Sequence, residues 1–380
     1  MSRFPKRGAV LLGAILALAC TQAKADIAPG KVLLGNDTAS QITSQSDLSK
    51  FKPAERILKT MKRVRTPSLE APMKAGTPAP SVVPGAVGGQ AVANTAPAPV
   101  DDGFAPQNYG SGGVGNINHY SDNLVPLNVT PTFPYRTVGW FTFIAYDNNS
   151  YRCSATLISK SILLIAGHCI HDGGGGSPYY IKSGTFYPAY ANGTQPYGYA
   201  TANYVITTSG WYNTGSLDQG YDVGLVVLNK RAGTTVEMGN YTGWLGFCYL
   251  NCLQSYWQLT QLGYPGNYYS GQYMTMGQHI EYSDSKDYRA GSGMQGGSSG
   301  GPHIANLGDL SDSSTSKGSY PWRNIAFAAT SWGYIDQAVK IQGYSSTSGP
   351  ANANNFKGLY NAACTRARTI HGTGSCNLLP

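Results

Sequence analysis

The run Gly297-Ser298-Ser299-Gly300-Gly301-Pro302 sets a hydroxyl among glycines. A nucleophilic hydroxyl needs a substrate carbonyl to approach closely and main-chain N–H groups aimed at the oxyanion that develops. Glycines serve both needs, because without Cβ the loop reaches unusual φ values and leaves room for the substrate. In that role Ser299 is the nucleophile, and the N–H groups of Gly297 and Ser299 form the oxyanion hole. Ile165-Ala166-Gly167-His168-Cys169 closes an apolar run with a histidine, the commonest general base. Tyr221-Asp222-Val223-Gly224-Leu225-Val226-Val227-Leu228 opens an apolar run with an acid. A buried carboxylate is costly unless hydrogen-bonded, and orienting His168 supplies the bond. Each stretch alone has a plainer reading, as a flexible loop, a structural histidine or a turn aspartate. Together a hydroxyl, an imidazole and a carboxylate are the parts of an activated nucleophile.

Such parts must be held by rigid elements. From about residue 120 short apolar runs alternate with Gly, Asn, Ser and Pro. Strands are predicted over Thr137–Tyr146, Ser154–Ser159, Ile162–Ala166, Tyr204–Thr207 and Val223–Leu228. Others are Tyr256–Tyr264, Tyr273–Tyr282, His303–Ala305 and Ile325–Tyr334, with a C-terminal helix over Asn352–Ala367 that ends near Gly372. Many short strands with turn signals argue a barrel or sandwich. Gly (48) and Tyr (27) are abundant and charged residues make up only 12%, which suits an extracellular β protein.

Residues 1–25 read as a signal peptide, with Arg3, Lys6 and Arg7 before an apolar stretch and Ala23-Lys24-Ala25 as the cleavage site. The apolar stretch is too short for a stable membrane anchor, so the chain is expected to be secreted, outside the cell or in a periplasm. Residues 26–115 read as a pro-region, with a short helix around Leu48 to Val64 and a Pro/Ala/Gly-rich disordered linker over 67–115. A mature start between residues 100 and 135 follows. The net charge of +8 points to nucleic acid only if it is concentrated on the functional region. Residues 1–115 carry 13 Lys/Arg against 7 Asp/Glu, and residues 116–380 carry 14 against 12. The excess therefore sits outside the region with the chemistry, and no nucleic-acid partner is expected. Behind the signal peptide remain Cys153 and Cys169, Cys248 and Cys252, and Cys364 and Cys376. They are three close pairs, although the sequence alone leaves fifteen connectivities open. Neither Cys nor His spacing suggests a metal site, and no cofactor is expected. Gly291-Ser292-Gly293-Met294-Gln295-Gly296 matches a dinucleotide-binding pattern, but it lacks the preceding apolar strand and the following helix.

The quoted His, Asp and Ser segments, in that chain order, resemble the trypsin/chymotrypsin-like serine peptidases over about residues 120–345. The 16-residue spacing of Cys153 and Cys169 matches the family disulfide beside the His strand, and Ser331-Trp332-Gly333 matches the strand that pairs with substrate. The resemblance implies an all-β fold of two packed antiparallel barrels, about 120–235 and 240–345, followed by the helix and a disulfide in 350–380, within a peptidase domain over 116–380. It implies a triad of His168, Asp222 and Ser299 acting through an acyl-enzyme on protein or peptide substrates, and a monomer. It also implies disulfides Cys153–Cys169, Cys248–Cys252 and Cys364–Cys376. A homologue without activity, serving as a binding or adhesion protein, is the rival from another class.

The departures concern the pocket. Ser298 stands where vertebrate members have an Asp that pairs with the new N-terminus, as in bacterial secreted members of the glutamate-specific group. Gly293, six residues before Ser299, leaves the pocket base without charge, and Met294 beside it is apolar. Thr330 stands where glutamate-specific members place a His, and Gly333 opens the mouth. With Ser331 and Trp332 these residues imply a preference for an uncharged P1 side chain.

Overall fold

The computed structural model describes residues 27–33, 51–53, 57–58, 81–90, 108–112, 118–217, 220–250, 258–280, 282–283, 288–308, 323–334, 336–347 and 355–380. The expected signal peptide and Cys252 lie outside them. The main strands are β1 (Asn118–Leu124), β2 (Val138–Ile144), β3 (Ser150–Leu157), β4 (Ile162–Ile165), β5 (Ser183–Pro188), β6 (Ala200–Thr207) and β7 (Gly224–Leu228). They continue with β8 (Gly246–Leu250), β9 (Gln258–Gly263), β10 (Thr275–Ile280), β11 (Tyr288–Gly291), β12 (Pro302–Ala305), β13 (Ile325–Tyr334) and β14 (Ile341–Ser346). Two helices matter below, α1 (Ser209–Thr214) and α2 (Phe356–His371).

Strands β2 to β7 close into a six-stranded antiparallel barrel, in the order β5-β2-β3-β4-β7-β6 and back to β5. The apolar runs make this possible, because alternate residues face opposite sides. Leu163 and Ile165 of β4, with Val226 and Leu228 of β7, fill the barrel beside Phe141, Phe186 and Val205. Ile162 and Leu164, with Leu225 and Val227, face outward into a second cluster with Trp140, Phe247, Leu262 and Tyr264. Helix α2 closes that cluster with Phe356, Leu359, Tyr360, Ala363 and Ala367. Burying a side chain of this size contributes roughly 1.5–3 kcal/mol, so the outward cluster is what holds barrel, second sheet and helix together.

The second sheet runs β11-β14-β13-β12-β9-β10-β1, with β8 added to β13 as a parallel neighbour. No hydrogen-bonded ladder closes it among the described residues, although Gly291 of β11 packs against the backbone of Asn118 in β1. Its two edges, β11 and β1, thus lie against each other and the sheet curls round as a barrel does. Strand β1, within the stretch expected to start the first barrel, pairs with β10 in this second sheet.

Three expectations need correction. The short helix around Leu48 to Val64 is not formed where the chain is described, since Lys52–Pro53 and Ile57–Leu58 are strand pairs with β3 and β13. Pro53 lacks the N–H that a helix interior requires. The linker 67–115 contains Ser81–Val83, paired with β8, and Asn108–Gly112, paired with β1. Helix α2 begins at Phe356, because Asn355 caps it by accepting from Gly358 N at 3.0 Å, and it ends at Gly372 with φ 100°.

Candidate active site

His168 lies in the turn that follows β4, and Asp222 immediately precedes Val223 and β7, the strand paired with β4. Neighbouring strand ends therefore bring imidazole and carboxylate together. His168 Nδ1 is 2.8 Å from Asp222 Oδ2, and His168 N donates to Asp222 Oδ1 at 2.7 Å. Ser331 Oγ, on β13, donates to Asp222 Oδ2 at 2.5 Å. Asp222 is fully buried and accepts all three bonds, so the ionised carboxylate is satisfied without water. An ionised carboxylate only accepts, which places the His168 proton on Nδ1 and leaves Nε2 basic. That Nε2 is buried and makes no hydrogen bond here, the arrangement expected before substrate draws a hydroxyl towards it.

The Ser299 loop docks against the same strands. Ser154 N, on β3, donates to Ser299 O at 2.8 Å, and Gly300 N donates to Thr330 O at 2.7 Å. A Cβ on Gly300 would lie 2.7 Å from Ile165 Cγ1 and 3.0 Å from Ala166 N, so no larger residue fits between Ser299 and the His168 turn. The disulfide Cys153–Cys169 ties β3 to that turn. Metal-ligand atoms of Cys153, His168 and Cys169 do lie together, but the two sulfurs are bonded to each other rather than present as thiolates.

The loop also fixes two N–H directions. Gly296 O accepts from Gly266 N at 2.7 Å, and Ser298 O accepts from Gly301 N at 2.8 Å. In a trans peptide the N–H points opposite the preceding carbonyl, so the N–H groups of Gly297 and Ser299 are turned away from those partners. Gly297 has φ 99°, a conformation that other residues adopt only with strain.

A cleft opens beside Ser299. Gly293, Met294, Thr330, Trp332 and Gly333 line it, while the Ser331 side chain turns to Asp222. The sequence reading missed the polar wall. Gln342 and Ser292 line the cleft, Ser292 Oγ donates to Gln261 Oε1 at 3.0 Å, and Gln261 Nε2 donates to Gln342 Oε1 at 2.7 Å and to Thr330 Oγ1 at 2.8 Å. It missed Asp122 as well. This buried acid of β1 accepts from Gly293 N at 2.7 Å and from the Tyr268 hydroxyl at 3.1 Å, directly behind the pocket base. Burial raises its carboxyl to about 7, against the opposing pull of those two donors and of Lys340. No local motif announces either group, because each is joined to the Ser299 loop only by folding.

Arg152, beside Cys153, is 5% exposed and donates to Tyr264 O at 3.1 Å and Ser270 O at 2.9 Å, while its guanidinium lies 4.8 Å from the Trp140 ring. Burial lowers it to about 10. His171 is 1% exposed, with Nε2 2.8 Å from Gly176 O and Nδ1 accepting from Gly173 N at 3.0 Å. Disulfide Cys364–Cys376 joins α2 to the C-terminus. Cys248 is disulfide-bonded, and its expected partner Cys252 lies outside the described residues.

His168 is thus paired with Asp222, and the Ser299 loop docks on the strands beside the His168 turn. The chain belongs to the trypsin family, whose pattern matches residues 130–338. It is 26% identical over 182 residues to the glutamyl endopeptidase of Bacillus licheniformis, a match covering 48% of this chain and 52% of that protein. It is 30% identical over 129 residues to a Bacillus subtilis protein named extracellular metalloprotease, covering 33% of this chain and 37% of that one. The chain thus spans about half or less of the length of these curated relatives. Among solved structures, protease Anisep from Arthrobacter nicotinovorans is similar at 24% identity and a TM-score of 0.48, over 62% of this chain and 96% of that one.

Proposed function

We propose that this protein is a secreted serine endopeptidase in which His168, Asp222 and Ser299 form the triad. The observation that carries the reading is the bonding of His168 to Asp222, with Nε2 left basic and buried beside the docked Ser299 loop. On this mechanism Ser299 Oγ attacks the scissile carbonyl and His168 Nε2 takes its proton. The Gly297 and Ser299 N–H groups hold the oxyanion, and His168 then returns the proton to the leaving amine. Water repeats the sequence to release the acyl group. The family membership and the endopeptidase named among the relatives support the reaction class. The signal-peptide pattern of residues 1–25 supports export.

The cleft wall supports an uncharged P1 residue. Its lining carries the amides and hydroxyls of Gln342, Ser292 and Thr330, with Asp336 and Lys340 present as one charge of each sign, so it has no net charge. A charged P1 group would lose hydration there, while an apolar one gains from burial. Replacing Ser299 with Ala should lower turnover on the order of 10⁶-fold while the protein stays folded. A Ser299→Ala variant that kept more than a percent of activity would refute the mechanism. A P1-varied peptide series reads the pocket, and a tenfold preference for Glu or Arg over Phe, Leu and Ala would refute its uncharged character.

A further inference from the structure

We infer that Gln342 is a positioning residue that holds the oxyanion loop in its working shape, in place of an ion pair with a cleaved N-terminus. The inference rests on the peptidase reading above and adds to it how the loop is ordered. Ser298, the residue before the nucleophile, is 1% exposed, and its Oγ donates to Gln295 O at 2.7 Å. Its backbone N–H donates to the same carbonyl at 3.1 Å. One hydroxyl thus clamps the turn from Gln295 to Ser298, which contains Gly297 at φ 99°. A hydroxyl has one proton and rotates freely unless its lone pairs are also engaged. Gln342 Nε2 engages one, donating to Ser298 Oγ at 2.9 Å.

Gln342 is itself fixed. It is 4% exposed on β14, and its Oε1 accepts from Gln261 Nε2 at 2.7 Å. The amide therefore cannot turn over, and its N–H stays aimed at Ser298. The chain of bonds Gln261–Gln342–Ser298–Gln295 runs from the pocket wall to the loop that presents the Gly297 N–H. It is neutral throughout, so no carboxylate waits for an α-amino group. Ordering of this loop on this account needs no new N-terminus.

The test compares Gln342→Met, Ser298→Ala, Ser298→Thr and the double variant Ser298→Ala/Gln342→Met. Methionine keeps the length of Gln342 without its donor, and threonine keeps the hydroxyl. The single variants that lose the bond should lower kcat roughly 10- to 100-fold with KM little changed, since the loop acts on the transition state. The double variant should be no worse than either single one, and Ser298→Thr should retain most activity. Hydrogen exchange of the amides from Gln295 to Ser299 should accelerate in Gln342→Met whether or not the wild-type protein hydrolyses any peptide. Acetylating the N-terminus of the mature protein should leave kcat unchanged. Unaltered exchange and kcat in Gln342→Met, additive losses in the double variant, or a change in KM alone would each overturn the inference. A wild-type protein inert to peptides but with exchange that responds to Gln342→Met would instead refute the peptidase reading and keep the positioning role.

Discussion

At the scale of single residues, one buried carboxylate is held by three donors. Asp222 accepts from His168 Nδ1, His168 N and Ser331 Oγ, and none of these bonds faces solvent. Removing the Ser331 hydroxyl leaves two donors, so imidazole and acid stay paired but the carboxylate is less well held. Ser331→Ala should therefore lower kcat by about 10- to 100-fold with little change in KM, the loss of one hydrogen bond to a charged group. Asp222→Asn should cost about 10⁴-fold, because the amide favours the wrong His168 tautomer. Steady-state kinetics on one peptide distinguish the two, and equal losses would mean that Ser331 is not merely a support. The pairing of His168 with Asp222 was legible because each sits in a local run whose composition betrays its setting. Ser331 was legible only as part of a strand that faces substrate. Its side chain points elsewhere because β13 alternates sides like any strand. Asp122 and Gln342 were not legible, since a buried polar residue in a polar stretch looks like a surface one until folding supplies its partners.

At the scale of elements, β1 does more than lead into the barrel. It pairs with β10 along Tyr120–Leu124, with Asn108–Gly112 on its other edge, and it delivers Asp122 to the back of Gly293. A mature chain that began after β1 would strip the pocket base of this support. The expected start between residues 100 and 135 is therefore narrowed, and we place the cut before Asn108. A form starting at Ala105 should keep kcat while melting somewhat lower, since it loses the Ser81–Val83 pairing with β8, and one starting at Val125 should lose peptide hydrolysis and melt lower still. Thermal melting with peptide kinetics decides, and an active, equally stable Val125 form would contradict the role given to β1. The strand was hidden because Asn-His-Tyr-Ser-Asp-Asn-Leu has no apolar alternation. The doubly buried β4 and β7 were plain for the opposite reason, being apolar on both faces. The short strands Ser81–Val83 and Lys52–Pro53 owe their extension to edges offered by β8 and β3 rather than to their own sequence.

At the scale of the molecule, buried ionisable groups set how stability varies with pH. His279 and His303 are buried in the second sheet, with His303 Nδ1 3.1 Å from His279 Nε2 and His303 Nε2 3.0 Å from Thr330 Oγ1. Burial lowers His279 from 6.5 to about 3, and burial with the neighbouring ring lowers His303 well below 6.5. The unfolded chain takes up protons below pH 6.5 that the folded chain refuses, so stability present above 6.5 is lost as pH falls towards 3. Asp122 has the opposite sign. Raised from 3.8 to about 7, its contribution is full below pH 3.8 and is lost as pH rises to about 7. Two imidazoles outweigh one carboxyl, so Tm should fall between pH 6.5 and 4. Asp122→Asn removes the opposing group and should make that fall steeper. Melting curves across this range check both, and a Tm that rose on acidification would contradict the burial of the two histidines.

The most direct measurement for the central claim is covalent labelling by an organophosphonate that reacts only with an activated serine. Peptide mass mapping of the mature protein should find one adduct, on Ser299. His168→Ala, still folded by its melting curve, should label at least a hundredfold more slowly. An adduct on another serine, or labelling of Ser299 at the same rate without His168, would contradict the account.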